Sequence, residues 1–202
     1  MIASRVTGPA QEPVSLAGVK AHLRLDHDDE DPILTAYIRS SRLATEEYLR
    51  RSLITQTWEV FADDWPSHHD YHHHDHFHHG NDRHKSYIAL PFGPIQSVDQ
   101  VQVFADDDTA QDVSLSVFQL DKRRNRLWLR DGQTVPMPTR KVDGLRALYT
   151  AGYGDNPGDV PEAIRVAIMQ IAATLFCDRT LNVSKSLDGA TSLLQPYRIM
   201  RI

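Results

Sequence analysis

The stretch VPEAIRVAIMQIAATLFCDRT, Val160 to Thr180, decides how the chain folds. Pro161 suits the first turn of a helix, Asp159 just ahead of it is placed to cap, and Glu162 favours the positive end of the helix dipole. Ile164, Ala167, Ile168, Ile171 and Leu175 recur at helical spacing as one apolar stripe, and Val166, Met169, Ala173 and Phe176 form a second. A helix that is apolar nearly all round cannot sit on a surface. It needs neighbours on several sides, and the rest of the chain must supply them. Cys177, in the last turn, is expected to be a small buried hydrophobe rather than a reactive thiol.

The main partner is DPILTAYIRSSRLATEEYLRRSL, Asp31 to Leu53. Pro32 again marks a first turn, and Ile33, Leu34, Tyr37, Ile38, Ser41, Ala44, Tyr48 and Leu49 repeat at spacings of three and four. Arg39, Arg42, Glu46 and Arg50 are expected mostly on the other sides. The helix over 161–178 should therefore pack against the helix over 32–51. A shorter helix, capped by Ser15 and running through Leu23, precedes them.

Between the helices the composition changes. TQTWEVFADDW, SYIALP, SVDQVQVFA, VSLSVFQLD, NRLWLRD and GLRALYTAGYG are rich in β-branched and aromatic residues and are separated by Pro, Gly, Asp or Asn. The connections are too short for crossover helices, so about six strands in mainly antiparallel hairpins are expected. The fold class is α+β: a helical bundle interrupted by a β-rich insertion. Its blocks are N-terminal helices at 1–54, the insertion at 55–154 and a C-terminal helix with a tail at 155–202. In the last block NVSKSLDGA has the composition of a polar linker, followed by the apolar and basic SLLQPYRIMRI.

A hydrophobic fraction of 41% suits a chain with a real core, and a net charge of −5 argues against a protein that coats nucleic acid. One cysteine excludes an internal disulfide framework. The opening residues lack the pattern of a secretory signal, and no apolar run is long enough to cross a membrane, so a soluble chain without a membrane partner is expected.

Few residues suggest chemistry. SHHDYHHHDHFHHGNDRHK, Ser67 to Lys85, holds most of the histidines; His72, His74, His76 and His78 are its candidate metal ligands. The tract mixes His with Asp, Gly and Asn between two strand-like segments, which suits a hairpin loop better than a fixed ligand set. TAGYGDNPG is a strand end and turn, without the Lys-Ser/Thr of a phosphate-binding loop. No nucleophile with its base, and no acid pair in a structured setting, is apparent, so no catalytic residue, cofactor or enzymatic activity is expected. KRRNR, Lys122 to Arg126, is placed at a hairpin tip, where Lys122, Arg123, Arg124 and Arg126 are candidates to touch phosphate or an acidic partner. No aromatic residue interleaves with these charges in the sequence.

Taken in order, DPILTAYIRSSRLATEEYLRRSLITQTWEV, IALPFGPIQSVDQVQVF, LRALYTAGYG and VPEAIRVAIMQIAATLFCDRT resemble the head-tail connector (adaptor, head-completion) proteins of tailed bacteriophages and phage-derived gene transfer agents. The similarity runs from about Pro13 to the end, outside the histidine tract, which has the look of an insertion into a short hairpin. The resemblance implies a structural subunit of a phage-like particle, assembled in the bacterial cytoplasm and placed at the head-tail interface. It implies a ring under the portal protein, twelvefold to match it, with a stopper or tail terminator on the tail side. Double-stranded DNA would pass through without specific binding. It also implies portal docking by a terminal segment, here Leu193, Leu194, Pro196, Tyr197, Arg198 and Ile199. The free subunit is expected to be monomeric or weakly associated. Two other function classes remain: a metal-binding or metal-dependent protein using the histidine tract, and a DNA-packaging regulator using KRRNR.

Overall fold

The computed structural model describes residues 1–66, 87–178 and 183–199. The chain forms two compact units. One comprises 1–6, 57–91 and 95–150 and is β-rich; the other comprises 7–56, 92–94 and 151–202 and is helical. This partition is finer than three consecutive blocks, because residues 92–94 belong with the helices. Ser52 N–H donates to the Phe92 and Gly93 carbonyls at 3.0 and 3.1 Å, and Gly152 N–H donates to the Pro94 carbonyl at 2.9 Å.

The helical unit contains α1 (Leu16–Leu23), α2 (Asp31–Leu49), α3 (Glu162–Cys177) and α4 (Val183–Leu194). Ser15 caps α1 as expected, its hydroxyl accepting from Gly18 N–H. Pro32 lies in the first turn of α2. α3 packs against α1, α2 and α4, and its residues 164, 167, 168, 171 and 175 are all buried. Around them close Val19, Leu34, Ile38, Leu49, Leu53 and Leu194. In the second stripe of α3 Ala173 is buried and Val166, Met169 and Phe176 are half-buried, with Met169 and Phe176 packed on the core rim.

Four expectations for this unit are corrected. Asp159 does not cap α3; its carboxylate accepts from Asn156 N–H and closes a 3-10 turn at Pro157–Asp159. Cys177 is exposed, because it shares the solvent-facing side of α3 with Gln170 and Thr174. Arg42 and Glu46 lie inside the unit, at 4% and 2% exposure. The supposed linker is helical from Val183 onward, with Ser186 and Ala190 buried at helical spacing.

The β-rich unit holds a five-stranded sheet in the order β1 (Ile2–Thr7), β2 (Gln56–Ala62), β8 (Leu145–Ala151), β4 (Ile95–Phe104), β5 (Ala110–Asp112). A three-stranded sheet has the order β3 (Tyr87–Ala89), β7 (Arg126–Leu129), β6 (Phe118–Asp121). β3–β7, β6–β7 and β4–β5 are antiparallel. β8 alternates strictly, burying Leu145, Ala147, Tyr149 and Ala151, and Trp58 and Val60 are buried on β2. The Tyr149 hydroxyl donates to the Pro91 carbonyl at 2.7 Å, and burial pushes its pKa well up. β1 and β5 escaped the sequence reading. Both are edge strands without a buried residue, so neither carries the alternation that betrays a strand.

Candidate functional site

The basic segment forms the tip of the β6–β7 hairpin. Asp121, the last residue of β6, accepts from the backbone N–H groups of Arg123 and Arg124 at 3.0 and 3.1 Å and from the Arg124 guanidinium at 3.2 Å. Asn125 completes the turn in the left-handed region, at φ 53. The Arg124 backbone bond is the main reason the Asp121 carboxyl titrates below its ordinary range. The tip is therefore a fixed device that holds Lys122 and Arg123 exposed, while Arg124 is paired with Asp121.

Cross-strand pairing then does something the linear order hides. Trp128 lies opposite Tyr87 on β3 and opposite Gln119 on β6. The Tyr87 and Trp128 rings sit 4.7 Å apart, and the Arg126 guanidinium lies 4.3 Å from the Tyr87 ring centroid. Arg126, Tyr87 and Trp128 thus form one stack that continues into a shallow depression lined by Trp128, Gln119, Asp121, Lys122 and Arg123. No aromatic residue interleaves with these charges in the sequence, yet the sheet register brings Tyr87 and Trp128 beside them. A separate apolar cavity of about 360 Å³ involves Trp65, Ile88, Phe118, Leu127, Val135 and Met137. Trp65 Nε1–H donates to the Pro136 carbonyl at 2.8 Å and holds one wall.

The C-terminal segment packs on its own helical unit. Leu194 is fully buried and Leu193 lies against the core. The Arg51 guanidinium donates to the Tyr197 carbonyl at 2.6 Å, Tyr48 and Gln195 side chains meet at 3.0 Å, and Ile199 N–H donates to the Leu49 carbonyl at 3.2 Å. Arg198 lies over the Tyr48 ring. Leu193, Leu194 and Tyr197 are thus fastened to α2 and its surroundings, while Pro196 and Arg198 stay exposed.

The helical unit also holds a buried polar cluster that sequence reasoning missed. Glu46 accepts from the Arg42 guanidinium at 2.7 Å, from Leu53 N–H at 3.1 Å and from the Gln56 amide. Arg42 also donates to Glu12 at 2.7 Å. One side of α2 is thereby tied to residues 12, 53 and 56. A charge pair at i and i+4 is ordinarily read as a solvent-facing pair, and the periodicity gave no sign otherwise.

Among the described residues no group of three or more His, Cys, Asp or Glu is placed to hold a metal, and no helix is long and apolar enough to cross a membrane. His72, His74, His76 and His78 lie outside the described residues.

Residues 13–105 match the family model for the phage gp6-like head-tail connector protein. No curated protein matches the sequence. In fold, the chain is similar over its full length to a chain in the neck of an empty GTA particle computed with C6 symmetry, at 20% identity and a TM-score of 0.78. A chain in the virion of a native gene transfer agent (GTA) particle gives 21% identity and 0.76, and one in the neck of a native GTA particle computed with C12 symmetry gives 20% and 0.72. In each case 97% of the other chain is covered, so the likeness spans both units and both chains nearly end to end. The match to the gp6-like head-tail connector family covers residues 13–105, a little under half of the chain, and it is the family that the ordered motifs of the sequence resemble.

Proposed function

We propose that the chain is a structural subunit of a ring at the head-tail interface of a phage-like particle, where it joins capsid to tail and lets DNA pass. The observation that carries this reading is the coincidence of the connector match over 13–105 with a shared fold over the whole chain. Ring symmetry in the neck assemblies of the similar structures supports a cyclic homo-oligomer, twelvefold where it meets a portal. The portal protein above and a stopper or tail terminator below are its proposed partners. The duplex passes without specific binding, in keeping with the net charge of −5. The subunit's work is mechanical, with no catalytic step.

Portal docking by 193–199 narrows to the exposed residues Pro196 and Arg198, since Leu193 and Leu194 are already engaged within the helical unit. Deleting the gene in the producing cell and imaging the particles tests the reading. Filled heads without tails, restored by the intact gene, are expected. Normal tailed particles, or density for the chain anywhere but the neck, would overturn it.

A further inference from the structure

The β-rich unit carries two small surfaces of opposite charge. On one, Lys122 and Arg123 lie beside the half-buried Trp128, whose ring meets that of Tyr87, which in turn carries the Arg126 guanidinium. Neither Lys122 nor Arg123 has an ion-pair partner among the described residues. Half-buried aromatic groups beside exposed cationic side chains have the composition of an interface anchor.

The other surface is the β4–β5 turn, Ala105 to Thr109. Ala105 N–H donates to the Thr109 carbonyl at 3.0 Å and Asp108 N–H to the Ala105 carbonyl at 2.9 Å, with Asp108 in the left-handed region at φ 64. These bonds define the turn, and all three of its aspartates are exposed. Asp108 is opposed by Arg140 at 3.4 Å, whereas Asp106 and Asp107 meet no cation among the described residues. Hydrogen bonds from Thr109 hold the Asp107 carboxyl below its ordinary range, so it is ionised at neutral pH.

We propose that the Lys122–Arg123–Trp128 surface of one copy docks the Asp106–Asp107 turn of the next copy. Two different patches on one unit make a heterologous contact, the kind that generates rings when the rotation closes. The inference rests on the ring reading above and deepens it by naming a contact. A nucleic-acid occupant is disfavoured because the chain is net acidic, whereas gripping a duplex takes a pronounced basic excess.

The test uses the full chain and two variants, Lys122→Glu/Arg123→Glu and Asp106→Lys/Asp107→Lys, followed by sedimentation at low and high salt. Wild type should self-associate at low salt, and each variant alone should do so about tenfold or more weakly. Mixed one to one, the variants should regain wild-type association, because each basic surface then meets an acidic one. A carbodiimide should also couple Lys122 of one copy to Asp106 or Asp107 of another. Wild type that fails to associate, or variants that do not rescue each other, would overturn the contact. So would loss of binding to a duplex DNA fragment in Lys122→Glu/Arg123→Glu with self-association unchanged, which would assign the surface to nucleic acid. Rings still present in the necks of particles built from either variant would sink this contact alone and leave the ring reading standing.

Discussion

Replacing Glu46 with alanine tests whether the buried cluster holds the helical unit together. The carboxylate is 2% exposed and accepts from three donors, on Arg42, Leu53 and Gln56. Without it the Arg42 guanidinium, itself buried, keeps Glu12 as its remaining carboxylate. Breaking a buried ion pair by removing one partner costs about 3–5 kcal/mol. A buried N–H left without an acceptor, here that of Leu53, costs about 1–3 kcal/mol. The two effects share one carboxylate and overlap, so a total of about 4–5 kcal/mol is expected rather than their sum. That is a large part of the ~5–15 kcal/mol by which a domain is usually stable. Trp58, Trp65 and Trp128 are all in the β-rich unit, which separates two probes of urea unfolding. Circular dichroism at the helix band should move to lower urea by the full amount, and Trp fluorescence should report what happens to the other unit. Glu46→Gln, which keeps an acceptor but no charge, should fall between wild type and Glu46→Ala. A loss below about 1 kcal/mol, the scale of an exposed pair, would refute the reasoning.

Further outcomes follow from the same packing. Ile168→Asp or Ile171→Asp places an unpaired charge at a position of 0% exposure and should abolish folding of the helical unit; soluble protein with unchanged melting would show that α3 is not its core. A chain ending at Ala190 should lose about 2–5 kcal/mol, because it discards the fully buried Leu194 along with Leu193 and Tyr197, contrary to the mild effect that a linker would imply. Calorimetry of the truncated chain measures this, and an unchanged transition would return the segment to the role of a free tail. At the hairpin tip the Asp121 carboxyl is lowered from 3.8, so its support of the turn is complete above that value and is lost as pH falls through the lower, folded one. The Arg123 and Arg124 amide resonances should follow one titration with a midpoint below 3.8, and a midpoint at or above it would contradict the bonds described.

What the sequence disclosed and what it withheld divide along physical lines. Ile164, Ile168 and Ile171 announce their burial because a 3.6-residue repeat of apolar side chains has few other uses. Leu34, Ile38 and Leu49 do the same on α2. Arg42 and Glu46 hide because burial of a charge depends on which donors and acceptors arrive from elsewhere, here Glu12, Leu53 and Gln56. The stack of Arg126, Tyr87 and Trp128 hides for a related reason. Tyr87 meets Trp128 only through strand register, which local composition does not encode. The segment at 183–194 misled because serine, lysine, aspartate and glycine outnumber its buried contacts, yet Ser186, Ala190 and Leu194 keep one face against α2 and α3.

The alternation of the chain between its two units also fixes an order of events during synthesis. Leu34, Ile38 and Leu49 on α2 emerge early, but the α3 side chains that cover them follow only after the whole β-rich segment has been made. At about 5–20 residues per second, the ribosome needs on the order of ten seconds to travel from Leu49 to Ile164. Throughout that interval α2 exposes an apolar stripe to solvent, while the β3–β7–β6 sheet already has every strand it needs once Leu129 is out. The helical half of the nascent chain is therefore the part whose apolar residues wait longest for their partners. A stop codon anywhere before α3 leaves that stripe uncovered for good, so premature termination products should be cleared or aggregate rather than accumulate as folded fragments.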